Sequence, residues 1–304
     1  MSPGICGGHP ARASRRARTI WYGSAPCRLK NQGRQVPAPR ARREPRRQFS
    51  SEEDKIMKIA ILGTGNIGKT LVRELAKAGH EIKVANSRGP DTIDKEMLAS
   101  GARAATAEDA VKGVDVIILS IPFERLSTVR HLLANVPEDT VVIDTANYYP
   151  ARDGKIDSIE AGQVESLWVV EQLGRPVAKA WNAIGARSFR EYGKAPGSPD
   201  RIAIPVAADR AVDREVAMRL VDETGFDPVD AGSIADSWRQ QPGSPVYCTD
   251  LDKEELAAAL PTAEKARLPI RRELVAAVAQ DRFGDGKSNP DTDLLVTLNR
   301  LIFM

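Results

Sequence analysis

The sequence predicts an α/β protein, a doubly wound and mostly parallel sheet with a small, mainly helical C-terminal portion. Three observations carry this. Apolar runs of strand length alternate with stretches of helical periodicity through residues 57–245. A glycine-rich turn separates the first run from the first helix. The connections are short and no internal repeat interrupts them, as right-handed βαβ units require.

The elements follow in order. KIAIL over 58–62 reads as a buried strand. Residues 69–78 form a helix with Leu71, Leu75 and Ala78 on one face and Val72 and Ala76 beside them; Gly79 ends it at the C′ position. A strand over 81–85 and a short helix over 106–111 lead to VDVIILSI (114–121), a strongly buried strand. Helix 124–134, strand 140–145, a helix near 158–173 and strand 177–181 come next. Beyond them lie strand 201–207, helix 212–224 and strand 227–231. The end is helical from 253 to about 280, followed by a polar loop and the apolar stretch 294–301.

The net charge of +3 averages two unlike parts. Residues 1–56 hold thirteen Lys/Arg against four Asp/Glu, leaving thirty-one against thirty-seven for the rest. The basic segment, with six prolines and no apolar periodicity, cannot bury a core and is expected to be disordered. Three readings of it stand side by side: an upstream extension ahead of a start at Met57, an organellar transit peptide, or an arginine-rich tail for an acidic partner. The acidic body gives no reason to expect nucleic acid, and no apolar run reaches membrane-spanning length. Cys6, Cys27 and Cys248 lie far apart, which suits a reducing cytoplasm and leaves no metal-binding spacing.

The turn after the first strand satisfies two patterns. Gly63, Gly65 and Gly68 with Thr64, Asn66 and Ile67 between them spell a dinucleotide fingerprint; Gly63, Gly68, Lys69 and Thr70 also spell a P-loop, with Asp144 as its magnesium-binding acid. Both patterns hold phosphate on backbone N–H groups at a helix start. A P-loop has no use for Gly65, and the βαβ context favours the dinucleotide. The second strand then ends on Asn86, Ser87 and Arg88, where an NAD-preferring site carries a carboxylate. An asparagine does not repel a 2′-phosphate, and Ser87 and Arg88 can donate to it. Charged hydrogen bonds of about 1.5–3 kcal/mol favour NADP roughly ten- to hundredfold.

Ser120, Ile121 and Pro122 close the strand at 114–121, and Asn147 and Asn182 follow later strands, so these residues share the rim where a nicotinamide would lie. Lys179 is the one acid–base candidate there, with a plain strand lysine as the alternative; the catalytic residues stay unknown. No hydrolase triad or TyrxxxLys pair is present. A cofactor site without a proton-transfer pair suits hydride transfer between two cofactors, which needs chiefly face-to-face positioning.

GTGNIG (63–68), NSR (86–88), SIP (120–122), KAWN (179–182) and DAG (230–232), in this order, resemble the NADP oxidoreductases that depend on the 8-hydroxy-5-deazaflavin coenzyme F420. The resemblance spans 57–304. It implies a Rossmann domain over 57–245, a helical portion over 246–304, a homodimer in many members, and a deazaflavin or flavin-like small-molecule electron acceptor. By matching positions it places Thr64–Ile67 at the pyrophosphate, Ser87 and Arg88 at the 2′-phosphate, and Ala186 near the nicotinamide. The segment SWRQQPGSPVYC (237–248) and the loop at 283–293 depart from the continuous C-terminal helices of such proteins. Alternatives are a non-catalytic NADPH sensor and a P-loop nucleotide hydrolase. An imine or 3-hydroxyacid reductase would need a longer helical domain than the 59 residues after 245 supply.

Overall fold

The computed structural model describes residues 56–284 and 292–304. The expected basic extension lies outside these residues except for Ile56, as does most of the polar loop before 294. Eight strands form the sheet: β1 (Lys58–Leu62), β2 (Glu81–Ala85), β3 (Arg103–Ala104), β4 (Val116–Leu119), β5 (Val141–Asp144), β6 (Ala178–Lys179), β7 (Ala203–Ala208) and β8 (Asp227–Asp230). Their order is β3-β2-β1-β4-β5-β6-β7-β8. Every neighbouring pair is parallel except β6 and β7, where Ala178 faces Ala208 in antiparallel register. The doubly wound, mostly parallel expectation is met.

The helices are α1 (Asn66–Lys77), α2 (Lys95–Ala99), α3 (Ala107–Ala110), α4 (Arg130–Leu133), α5 (Pro150–Asp153), α6 (Asp157–Glu160), α7 (Glu165–Leu173) and α8 (Ala186–Glu191). They continue with α9 (Ala211–Glu223), α10 (Lys253–Ala259), α11 (Leu268–Phe283) and α12 (Thr292–Phe303). Along β1 the side chains alternate. Ile59 and Ile61 join Leu71, Val72, Leu75 and Val84 on one face of the sheet, while Ala60 and Leu62 join Ile117, Leu119 and Phe123 on the other. Full burial of each large aliphatic side chain contributes about 1.5–3 kcal/mol, so β1 and α1 anchor both layers.

Several elements differ from the sequence reading. Strand β3 is two residues long, too short to show a period. Helix α1 starts at Asn66, three residues early, because the glycine turn runs straight into it. Much of the expected helix at 124–134 is a 3-10 turn over Phe123–Val129. Gly162, at φ +101°, separates α6 from α7 where one helix was expected. The C-terminal helix is likewise broken between α10 and α11, near Pro261, which has no N–H to continue the ladder. The helices α2, α5 and α8 were not anticipated.

Candidate functional site

Chains leaving β1 and β4 diverge to opposite sides of the sheet, so the crevice beyond their carboxyl ends is the natural ligand position. The three glycines meet different demands there. Gly63 has φ +117°, and a Cβ on it would stand 2.0 Å from the Ser120 carbonyl oxygen. A Cβ on Gly68 would lie 2.2 Å from the Gly63 carbonyl oxygen, so this residue lets α1 close onto the turn. Gly65 is unlike both. No atom of the described residues lies within 4 Å of a Cβ placed there, and its φ of −73° suits any residue. Gly65 caps α1 with no side-chain hydrogen bond and no acidic residue follows in the first turn, so the first N–H groups keep no side-chain partner. Thr64 and Ile67 are half-buried, and Asn66 is exposed. A diphosphate fits this cradle on backbone donors alone.

At the end of β2, the Asn86 side chain shapes the turn. Its Oδ1 accepts the Arg88 N–H at 2.8 Å, and its Nδ2 donates to Thr92 Oγ1 at 3.0 Å. Ser87 and Arg88 are exposed, and the Arg88 guanidinium has no hydrogen bond or ion pair with the other described residues. Asn86 thus presents two free donors while using its own amide inside the loop.

The P-loop reading loses its two charged groups. Lys69 Nζ pairs with Asp94 at 2.9 Å on the surface. Asp144 is wholly buried against Lys179, its Oδ2 accepting from Nζ at 2.7 Å and its Oδ1 accepting the Ala146 N–H at 2.9 Å. Lys179 also donates to the Ala146 carbonyl. The lysine is therefore committed to a buried clamp on the turn that carries Asn147 and is not presented to a substrate.

That turn meets β6 across a ring of amides. Asn147 Nδ2 donates to the Asn182 carbonyl at 2.8 Å, and Asn182 Nδ2 donates to Asn147 Oδ1 at 3.0 Å and to the Gln240 carbonyl at 2.8 Å. Gln240 Nε2 donates back to Asn182 Oδ1 at 2.8 Å. Trp181, at φ 55°, turns the chain just before Asn182 and donates its indole N–H to Thr224 Oγ1. A bulky residue held in the left-handed region costs about 1–3 kcal/mol, which marks this bend as imposed by its surroundings. Ser120 is tied back by its N–H to the Leu62 carbonyl, and Ile121 lies against Gly63. Pro122 is exposed and opens the following 3-10 turn. Ala186 is the first residue of α8, which packs on α1.

Glu165, at the start of α7, is buried behind this ring and accepts the Tyr148 N–H at 3.1 Å. Burial pushes its carboxyl up to about 7; the Lys179 ammonium and the Tyr148 N–H oppose the shift. A carboxyl raised in the folded state stabilises most below its unfolded pKa, and this contribution is lost as pH rises from about 4.5 to about 7. Glu165→Gln is expected to flatten that part of the stability profile by about 3 kcal/mol, read as Tm against pH.

Asp144 was noted in the sequence only as the acid of the P-loop alternative, and Gln240 was not picked at all. An acid and a lysine ending two strands of otherwise apolar character were a visible signal for the clamp; nothing in the sequence marked Gln240. Cavities of about 410 and 350 Å³ lie elsewhere, around Tyr192 and Asp250 and around Arg239 and Pro261, and neither contains a residue of the glycine loop. Among the described residues no cluster of His, Cys, Asp and Glu could hold a metal ion, and no helix is long and apolar enough to cross a membrane.

Residues 58–148 match the family described as NADP oxidoreductase coenzyme F420-dependent. This is the family that the ordered motifs resemble; the match holds the motifs at 63–68, 86–88 and 120–122, while those at 179–182 and 230–232 lie outside it. The chain is 51% identical over 77 residues to YjhV of Escherichia coli K12, covering 24% of this chain and 56% of that protein. It is 31% identical over 134 residues to the oxidoreductase YfjR of Bacillus subtilis, covering 42% of this chain and 46% of YfjR. The chain thus spans about half the length of these two relatives. Over 202 residues it is 28% identical to the F420-dependent NADP reductase of Methanothermobacter thermautotrophicus, covering 59% of this chain and 82% of that one. A solved structure of protein SMa0349 from Sinorhizobium meliloti superposes with a TM-score of 0.57 at 25% identity, covering 64% of this chain and 95% of the other.

Proposed function

We propose that this chain is an NADP-dependent oxidoreductase that moves hydride between NADP(H) and a flavin-like or deazaflavin acceptor. The observation that carries the proposal is the open space over Gly65, in front of an α1 start that no side chain caps. The first-turn N–H groups would hold the diphosphate and offset its charge with the positive helix end. Ser87 and Arg88 would take the 2′-phosphate. Ser120–Pro122, Asn147, Asn182 and Ala186 would border the nicotinamide end. Bound NADPH supplies the hydride.

What the protein contributes is position. The Asp144–Lys179 clamp fixes the 144–147 turn, and the Asn147–Asn182–Gln240 ring locks it to β6 and to the segment after β8. A rigid rim holds a ring system face to face with its partner, and holding reactants in register accounts for much of the barrier reduction in such transfers. A relative adds support: the Methanothermobacter thermautotrophicus protein, matched over 82% of its length, is named an F420-dependent NADP reductase.

The test is a fluorescence titration with NADPH, followed by NADPH oxidation in the presence of deazaflavin, riboflavin and FMN. Micromolar binding with oxidation by one of these rings is the expected result; binding without turnover by any acceptor would make the chain a sensor. Arg88→Ala is expected to raise the Michaelis constant for NADPH roughly ten- to hundredfold and that for NADH little. Equal effects on both nucleotides would remove the 2′-phosphate assignment.

A further inference from the structure

The segment that departs from the expected helices, 237–248, is buried rather than looped out. Ser237, Gln240, Gln241, Ser244 and Val246 are all inaccessible or nearly so. It carries polar atoms without a partner among the described residues. Gln241 Nε2 and Ser244 Oγ are buried without a hydrogen-bond partner. Gly243, between them, has φ +93°, and a Cβ on it would stand 2.3 Å from the Leu268 carbonyl oxygen. The loop is therefore pressed against the first turn of α11.

One turn further along α11, on the face it shares with Leu268, sits Arg271. It is 8% exposed, and its Nε and Nη1 have no partner among the described residues. The nearest carboxylate is Glu264, 3.8 Å from Nη2, and that group is half-exposed and already holds Arg267 at 2.7 Å. Arg272 beside it is also buried and lies 5.3 Å over the Tyr148 ring, but its charge is matched by Glu273 at 2.8 Å, which leaves Arg271 as the cation without a close partner. An unpaired guanidinium in a desolvated place is costly, and burying further unsatisfied donors near it compounds that cost. The unpartnered set of a guanidinium, an amide and a hydroxyl is dominated by donors, which is the chemistry that recognises an anion with several oxygens. Gln240 Oε1 is the loop's unpartnered acceptor, and its Nε2 belongs to the rim.

We infer that Arg271, with Gln241 and Ser244, forms an anion subsite that takes a phosphate or carboxylate carried by the hydride acceptor. Its place argues for the acceptor: the loop begins at Gln240, whose carbonyl holds Asn182 at the rim, while the nucleotide's own phosphates have the α1 start and Arg88. The hydride-acceptor role rests on the proposed function; the anion subsite itself does not.

The probes are inorganic phosphate, and FMN against riboflavin, which share a ring and differ by one phosphate. The full chain is first saturated with NADPH to fill the nucleotide's phosphate positions. Thermal melts in phosphate and in sodium chloride of equal ionic strength are expected to show phosphate-specific stabilisation in the wild type, lost in Arg271→Met. In steady state, FMN is expected to have a Michaelis constant about tenfold below that of riboflavin, with phosphate competing against FMN alone. Arg271→Met should close that gap. Should Arg271→Met fail to fold, the double change Gln241→Leu with Ser244→Ala carries the same expectations. A phosphate response identical in wild type and variant, or an FMN preference untouched by the substitution, overturns the subsite. An Arg271-dependent phosphate response in a chain that does not bind NADPH would support the subsite and overturn the proposed function.

Discussion

A valine at position 65 is expected to leave the protein folded and to weaken NADPH binding by at least about a hundredfold. The three glycines of one motif make this a controlled comparison. Gly65→Val adds a Cβ where no atom of the described residues stands within 4 Å, and the backbone there is already in a region open to every residue. The cost falls on the ligand, whose diphosphate must approach the N–H groups of α1 at hydrogen-bond distance. Gly68→Ala should behave oppositely. Its Cβ would sit 2.2 Å from the Gly63 carbonyl oxygen, so α1 must move away from the turn and stability falls before binding can be measured. Circular dichroism melts beside NADPH titrations separate the two. Unchanged NADPH affinity in a folded Gly65→Val protein would leave the turn with a purely structural role.

The second large effect is on Lys179. Lys179→Met is expected to cost about 3–5 kcal/mol, roughly 10 °C in Tm, because it strands Asp144 as an unpaired charge at 0% exposure. The double variant with Asp144→Leu should recover much of that loss, since two apolar side chains of similar bulk replace a desolvated ion pair. A lysine acting as proton donor would give another pattern: a folded Lys179→Met protein with near-normal Tm and a collapsed kcat. Comparing melts with single-turnover rates decides between a clamp and a catalyst.

Legibility in the sequence followed physical range. The strands β1, β4 and β5 were readable because each is an apolar run of strand length, and the helix after β1 shows a 3.6-residue period, both local properties. The glycine turn was readable because three missing side chains at fixed spacing have few other uses. What could not be read depends on distant parts of the chain. The pairing of Asp144 with Lys179 exists only because β5 and β6 become neighbours, and the position of Gln240 exists only because β7 reverses direction. The breaks at Gly162 and near Pro261 were legible in principle, being carried by residues that interrupt a helix for backbone reasons. Asn86 was picked because an asparagine there does not repel a 2′-phosphate; the structure employs its amide to fold the turn.

The antiparallel seam between β6 and β7 sends β7, and β8 beside it, downward from the ligand edge. Residues joining β8 to the next segment start at the far edge, where Gly232 accepts the Ala208 N–H and Ile234 donates to Asp209. The chain must then climb the full height of the sheet within 234–248 before Cys248 can donate its N–H to Ala183. A span of that kind has a fixed length, like a tie rod between two plates. Insertions or deletions within it would shift one wall of the crevice, whereas the far-edge turns can drift in sequence with little consequence for the chemistry above.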